Sequence, residues 1–119
     1  MQDHEMRAWL GPALDELTAD QITRLHAESD AIDERYPEPD DEMLRQTALA
    51  AAVQYLLGET TPEGAGRALA AARRVEGEAF AASMQIARMA CDDRLLTEVD
   101  AAAVCRIDRM SVRRARGKR

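Results

Sequence analysis

Aromatic residues are scarce in this chain: Trp9, Tyr36, Tyr55 and Phe80 are the whole set, 3% of 119 residues. No stretch alternates apolar and polar residues with the two-residue period of a half-buried strand, so a β-sandwich or barrel has neither the side chains nor the pattern it needs. Cysteine is limited to Cys91 and Cys105, with no C-x-x-C, and both sit among apolar neighbours at helical positions. They read as reduced core thiols rather than a redox or zinc motif. The two histidines, His4 and His26, are isolated from other ligands at helical spacing, which leaves no zinc site. The acidic run Asp30–Glu42 lacks the spacing and the glycine of a calcium loop. Ser29, Ser83 and Ser111 sit in no nucleophile elbow, and Gly64 and Gly66 open an alanine-rich stretch without a preceding strand. The expectation is a protein with no enzymatic activity, no cofactor and no metal. No apolar run approaches the ~20 residues that span a bilayer. The start, with Asp3, His4 and Glu5, is no secretory signal, and a cytoplasmic location is the expectation.

What the chain does have is alanine, leucine and methionine, within 46% hydrophobic residues overall. Small and unbranched side chains favour close helix packing, and helix signals recur along the chain. Thr18 and Gln21 form a Thr-x-x-Gln capping box. Ile22, Leu25, Ser29, Ile32 and Tyr36 then follow at spacings of 3 and 4, one helical face ended by Pro37 and Pro39. A second helix runs from the acidic Asp40-Asp41-Glu42 to Gly58, and its spread of leucine and valine predicts the most buried helix of the molecule. Thr61, Pro62 and Glu63 mark the start of a third, reaching about Asp93. Leu69, Val75, Phe80, Met84, Ile86 and Met89 give it more than one apolar stripe, suited equally to a core and to a dimer contact. The predicted fold is all-α, with an acidic N-terminal helical region over 1–60, a long helix over 61–93 and a basic helix-turn-helix over 94–119.

The charge is unevenly placed. The chain carries a net charge of −6, yet residues 1–93 hold 8 arginines against 19 acidic residues, and residues 94–119 hold 8 basic residues against 3 acidic ones. A basic end on an acidic body implies an electrostatic partner for that end. Its sequence, DAAAVCRIDRMSVRRARGKR, is more ordered than a tail. Thr97 can cap one helix, Ala101, Ala102 and Cys105 form its inward face, and Ile107 plugs a turn. Asp108 can cap a second helix, whose Val112 and Ala115 face back towards the first. The outward positions are then Arg109, Met110, Arg113 and Arg114, which reach base edges when such a helix enters a major groove. Arginine matches the O6 and N7 acceptors of guanine. Ser111, Arg116, Lys118 and Arg119 suit the phosphate backbone.

The stretch EVDAAAVCRIDRMSVRRARGKR resembles the C-terminal helix-turn-helix of small all-helical proteins from GC-rich bacteria, and is similar to the DNA-binding helices of resolvase/invertase-type recombinases. Their pattern is an alanine-rich helix, a Gly-Val-Asp turn and Arg-Met-Thr-Val-Arg. Here the turn is Arg106-Ile107-Asp108 and the helix opens Arg109-Met110-Ser111-Val112-Arg113. The resemblance spans Thr97 to Arg119. It implies sequence-specific binding of double-stranded DNA through the segment from Arg109 to Arg116. A single such motif makes a small interface, so a homodimeric regulator of transcription on two half-sites is the expectation. The alternative is a protein–protein interaction module, an accessory subunit of a plasmid- or phage-type replication, partition or recombination complex. The chain departs from the pattern at Arg106, where the positive φ of the turn normally selects glycine. A side chain there costs about 1–2 kcal/mol.

Overall fold

The computed structural model describes residues 1–118, which contain six α-helices and no strand. The helices are α1 (Asp3–Leu10), α2 (Ala19–Arg35), α3 (Glu42–Leu56), α4 (Pro62–Asp92), α5 (Glu98–Cys105) and α6 (Arg109–Ala115), with short 3-10 turns at Gly11–Glu16 and Pro39–Asp41. The chain divides into two compact units, Met1–Ala65 and Gly66–Arg119. The division falls inside α4, near its start, so nearly all of the long helix belongs with the C-terminal unit. The charge divides at the same place: the first unit holds 4 basic and 15 acidic residues, the second 12 and 7.

In the N-terminal unit the capping box at Thr18 forms in both directions. Thr18 Oγ1 accepts from the Gln21 backbone N–H at 3.2 Å, and Gln21 Oε1 accepts from the Thr18 N–H at 2.9 Å. The Gln21 side-chain amide also donates to the Leu56 carbonyl at 3.1 Å, which ties the start of α2 to the end of α3. Leu25, Ser29 and Ile32 are buried along one face of α2, with Ile22 and Tyr36 half-buried. They meet Leu49 and Val53 of α3 and Met6, Leu10 and Leu17 from the start of the chain in a single core. Between the two helices the proline-bounded linker is stapled by Arg45, whose guanidinium donates to the carbonyls of Tyr36 and Glu38 at 2.6 and 2.8 Å. These are carbonyls that the end of α2 and the prolines leave without helical partners. The lone histidine of α2 sits at the unit's edge, with His26 Nε2 3.1 Å from Asp3.

The structure corrects the expectation that α3 is the most buried helix. Only Leu49 and Val53 are buried in it, while Met43, Leu44 and Tyr55 are exposed. Its apolar residues are spread around the axis, and the packing against α2 covers one side alone.

The helices of both units close in the same way. After α3, α4, α5 and α6, one residue takes a left-handed conformation: Gly58, Arg94, Arg106 and Gly117, with φ between 57° and 75°. Each time its N–H bonds the carbonyl three residues back, and the next N–H bonds the carbonyl five residues back, as in Glu59 to Gln54, Leu95 to Ala90, Ile107 to Ala102 and Lys118 to Arg113. This is the Schellman closure, which glycine serves without strain. Two of the four positions hold arginine instead.

Replacing Leu25, fully buried in the N-terminal core, by alanine is expected to cost about 2–5 kcal/mol, whereas Met43→Ala on the exposed side of α3 should change stability by about 0.5 kcal/mol or less. Denaturant unfolding followed by circular dichroism measures both.

Candidate nucleic-acid interface

The C-terminal unit builds its site on the last third of α4. Ala87 and Cys91 of that helix, Ala101 and Ala102 of α5, Ile107 of the turn and Val112 of α6 form one buried cluster, flanked by Met84, Leu96 and Cys105. Small residues at 87, 101 and 102 let three helices meet closely around Ile107 and Val112. Ser83 adds a polar stitch, its hydroxyl donating to the Cys105 carbonyl at 2.8 Å. Ile107 and Val112 thus share a buried cluster with Ala102, flanked by Cys105. Ala115, expected to face the first helix with Val112, is half-buried but is not among the residues of this cluster. Both cysteines are free thiols.

Both short helices start at side-chain caps. Thr97 Oγ1 accepts from the Asp100 N–H at 3.1 Å, and Asp108 Oδ2 accepts from the Ser111 N–H at 3.1 Å. The turn between them keeps the geometry normally given by glycine, with Arg106 at φ 57° and ψ 45°. The two hydrogen bonds and the buried Ile107 hold it there. The Arg106 side chain stands exposed beside the start of α6.

The cations of this end fall into two sets. Glu98, in the first turn of α5, has a side chain only 10% exposed and gathers three of them. It accepts from Arg116 at 2.8 Å, from Arg113 at 3.1 Å and from Lys118 at 3.1 Å. Arg116 also reaches Asp92 at the end of α4 at 3.1 Å, and Asp92 lies 3.7 Å from Arg88. This network joins α4, the start of α5 and the end of α6. Arg113, placed outward by the sequence pattern, instead has its guanidinium on Glu98 and is half-buried. The reason is geometric: α6 packs back on α5, so its last turn passes the carboxylate at the start of that helix. The hydrogen bond from Lys118, joined by the positive charges of Lys118, Arg113 and Arg116, holds the Glu98 carboxyl below the ordinary carboxylate range, against the opposing effect of its own burial.

The other set faces outward. Arg106, Arg109, Met110 and Arg114 are exposed. Arg114 donates to Ser111 Oγ at 3.0 Å, and that hydroxyl lies 3.3 Å from Asp108, so Ser111 is engaged within the helix start. The side chains of Arg106 and Arg109 make no hydrogen bond or ion pair among the described residues. Of the residues the sequence pattern singles out, Arg109, Met110 and Arg114 share the exposed face, Ser111 supports it, and Arg113, Arg116 and Lys118 gather at Glu98. Arg119 lies outside the described residues. The sequence reading had no place for Glu98 or Asp92. The cations from the end of the chain that meet them lie 15 to 24 residues away, and no local spacing marks such pairs. No group of three or more metal-ligating side chains occurs among the described residues, and no described helix is long and apolar enough to cross a membrane.

Two outcomes follow for stability. Because the folded state lowers the pKa of Glu98, the stability it contributes is present above the normal glutamate pKa and is lost as pH falls through the lowered value. Glu98→Gln should therefore lower the melting temperature at neutral pH and flatten its fall in acid. An acid profile unchanged by the substitution would contradict the clamp. Arg106→Gly, which relieves a left-handed arginine but frees the unfolded chain, should stabilise the protein by about 0.5–1 kcal/mol, read by denaturant unfolding. Comparison with protein-family models, with curated proteins and with solved structures returns no match for this chain.

Proposed function

We propose that the C-terminal unit binds double-stranded DNA, with α6 as the helix that enters the major groove, and that the protein acts in the cytoplasm as a homodimeric regulator of transcription by binding alone. The observation that carries this reading is the outward set: Arg109, Met110 and Arg114 on a short helix whose opposite face is fixed by Val112, with Arg106 at the turn before it. Arginines held at the start of such a helix match the requirement for reading base edges. Arg106 stands at the turn, where a phosphate contact would orient the helix.

The ion-pair network assigns different tasks to residues of one charge. Arg113 and Arg116 are bound to Glu98, so to contact DNA they would have to give up a partly buried carboxylate. In this reading they hold the end of α6 in place, and Arg109 and Arg114 make the contacts. The N-terminal unit, with its excess of acidic residues, is repelled by phosphate and leaves the basic unit to make the approach.

The test is binding of a fluorescent duplex drawn from the protein's own gene neighbourhood, with random DNA as competitor, at several salt concentrations. Arg106, the phosphate contact of each protomer, contributes about −0.9 to the slope of log K against log salt, and Arg106→Ala should remove that contribution. Arg109→Ala is expected to cost about 1–3 kcal/mol of selectivity without lowering the melting temperature. Arg113→Ala should lower the melting temperature, and weaken binding only through that loss. Failure of the folded protein to bind either DNA at low salt would refute the proposal.

A further inference from the structure

One side of α4, through Arg73, Glu76 and Phe80, borders a groove against Arg106 and Ile107 of the turn, and the side through Val75, Ala82 and Ile86 belongs to neither core. From Ala65 to Ala82 every residue is exposed, as are Ile86 and Met89 beyond it. A solvated helix of this length should be polar all round. This one carries a continuous apolar ladder: Ala65, Ala68, Ala72, Val75, Ala79, Ala82, Ile86 and Met89 follow one another at spacings of 3 and 4 without a break. That is the heptad seam of a helix pair. It lies on a different side of α4 from Met84, Ala87 and Cys91, which pack into the C-terminal core. Val75, Ile86 and Met89 of the seam are 62%, 60% and 51% exposed.

We infer that this face of α4 pairs with the same face of a second copy of the chain, antiparallel, about a two-fold axis at Gly77. Size and charge both select that arrangement. The seam is graded, with alanine at its start and Ile86 and Met89 at its end. An antiparallel pair centred on Gly77 sets Val75 against Ala79 of the second copy, Ala72 against Ala82, Ala68 against Ile86 and Ala65 against Met89. Every large residue then meets a small one, and the helices approach to the short end of the usual 8–10 Å separation. A parallel pair in register would set Ile86 on Ile86 and Met89 on Met89, and leave the alanine layers too wide apart to touch.

Charge follows the same division. From Pro62 to Val75, α4 carries Arg67, Arg73 and Arg74 against Glu63; from Glu76 to Asp92 it carries Glu76, Glu78 and Asp92 against Arg88. Antiparallel pairing lays the basic half along the acidic half. It brings Arg74 to the level of Glu78 in the second copy, on the same side of the seam. Parallel pairing lays like on like along the whole length. The opposed helix dipoles favour the antiparallel form as well.

For the DNA-binding reading, on which this consequence alone rests, the pairing fixes a distance. Ala87, where the helix-turn-helix packs on α4, is ten residues beyond Gly77. The two copies of Ala87 are then twenty residues apart along the pair, roughly 30 Å at 1.5 Å per residue. This is about one turn of B-DNA, the usual spacing of half-sites for paired helix-turn-helix units.

The mass in solution, measured by sedimentation equilibrium without DNA, tests the pairing, and cysteine cross-linking tests its direction. The full chain should sediment at twice its 13.2 kDa, and Val75→Arg with Ile86→Arg should return it to monomer. Neither side chain is part of either core, so circular dichroism should still report folded α5 and α6. Ala72→Cys and Ala82→Cys variants, oxidised separately, should stay uncross-linked, and their mixture should form a disulfide-linked dimer. A wild-type chain that stays monomeric at high concentration overturns the inference. Cross-linking of Ala72→Cys with itself, and not with Ala82→Cys, overturns the antiparallel arrangement. A monomer that still binds DNA would leave the DNA-binding reading standing without its homodimer, and a dimer that ignores DNA would leave the pairing standing.

Discussion

The C-terminal unit depends on one carboxylate. Glu98 stands at the first turn of α5, nearly buried, and takes hydrogen bonds from Arg113, Arg116 and Lys118. An unpaired carboxylate at that depth would be costly, and three cations packed on one short helix end would repel one another. Each side of the contact cancels the other's penalty. The pair of Arg116 with Glu98, 20% and 10% exposed, is the least solvent-screened member; Lys118, nearly half exposed, is screened by water and contributes less. Because the clamp joins the beginning of α5 to the end of α6, it fixes the two helices at the ends furthest from their turn. Ile107 and the Schellman bonds fix them at the turn itself. A hairpin of 8 and 7 residues has too little core of its own to hold a fixed angle, and these two closures supply what Ala101, Ala102 and Val112 alone could not.

In the proposed DNA-binding reading, the same division gives a strongly basic segment a selective surface. Were all its arginines solvated, the helix would attract phosphate without discrimination, since that attraction carries no sequence information. Committing Arg113 and Arg116 to Glu98 leaves Arg106, Arg109 and Arg114 around one exposed edge. The left-handed arginines at 94 and 106 belong to the same economy of backbone and charge: a position that would be more stable as glycine carries a cation at the rim of the basic unit instead.

Much of this was legible in the sequence where the cause is local. The caps at Thr18, Thr61, Thr97 and Asp108, the stop at Gly58 and the inward face of Ile107 and Val112 depend on residues within one or two turns, and the structure shows each of them. The burial of α3 was misjudged because apolar content says nothing of how many neighbours a helix has. The outward placement of Arg113 failed because its position on the helix does not reveal a carboxylate 15 residues earlier in the chain. That α4 carries more than one apolar stripe was visible in the sequence, but only the fold shows which residues are covered: Met84, Ala87 and Cys91 are, and Val75 and Ile86 are not.

In the proposed function one helix carries two kinds of arginine, those that hold and those that read. Side-chain Nε–H resonances of arginine, followed by NMR as duplex DNA is added, observe both kinds in one sample. The account predicts that Arg109 and Arg114 shift on binding while Arg116 keeps the signature of its pairing with Glu98 and Asp92. Shifts confined to Arg113 and Arg116, with Arg109 and Arg114 unchanged, would contradict it.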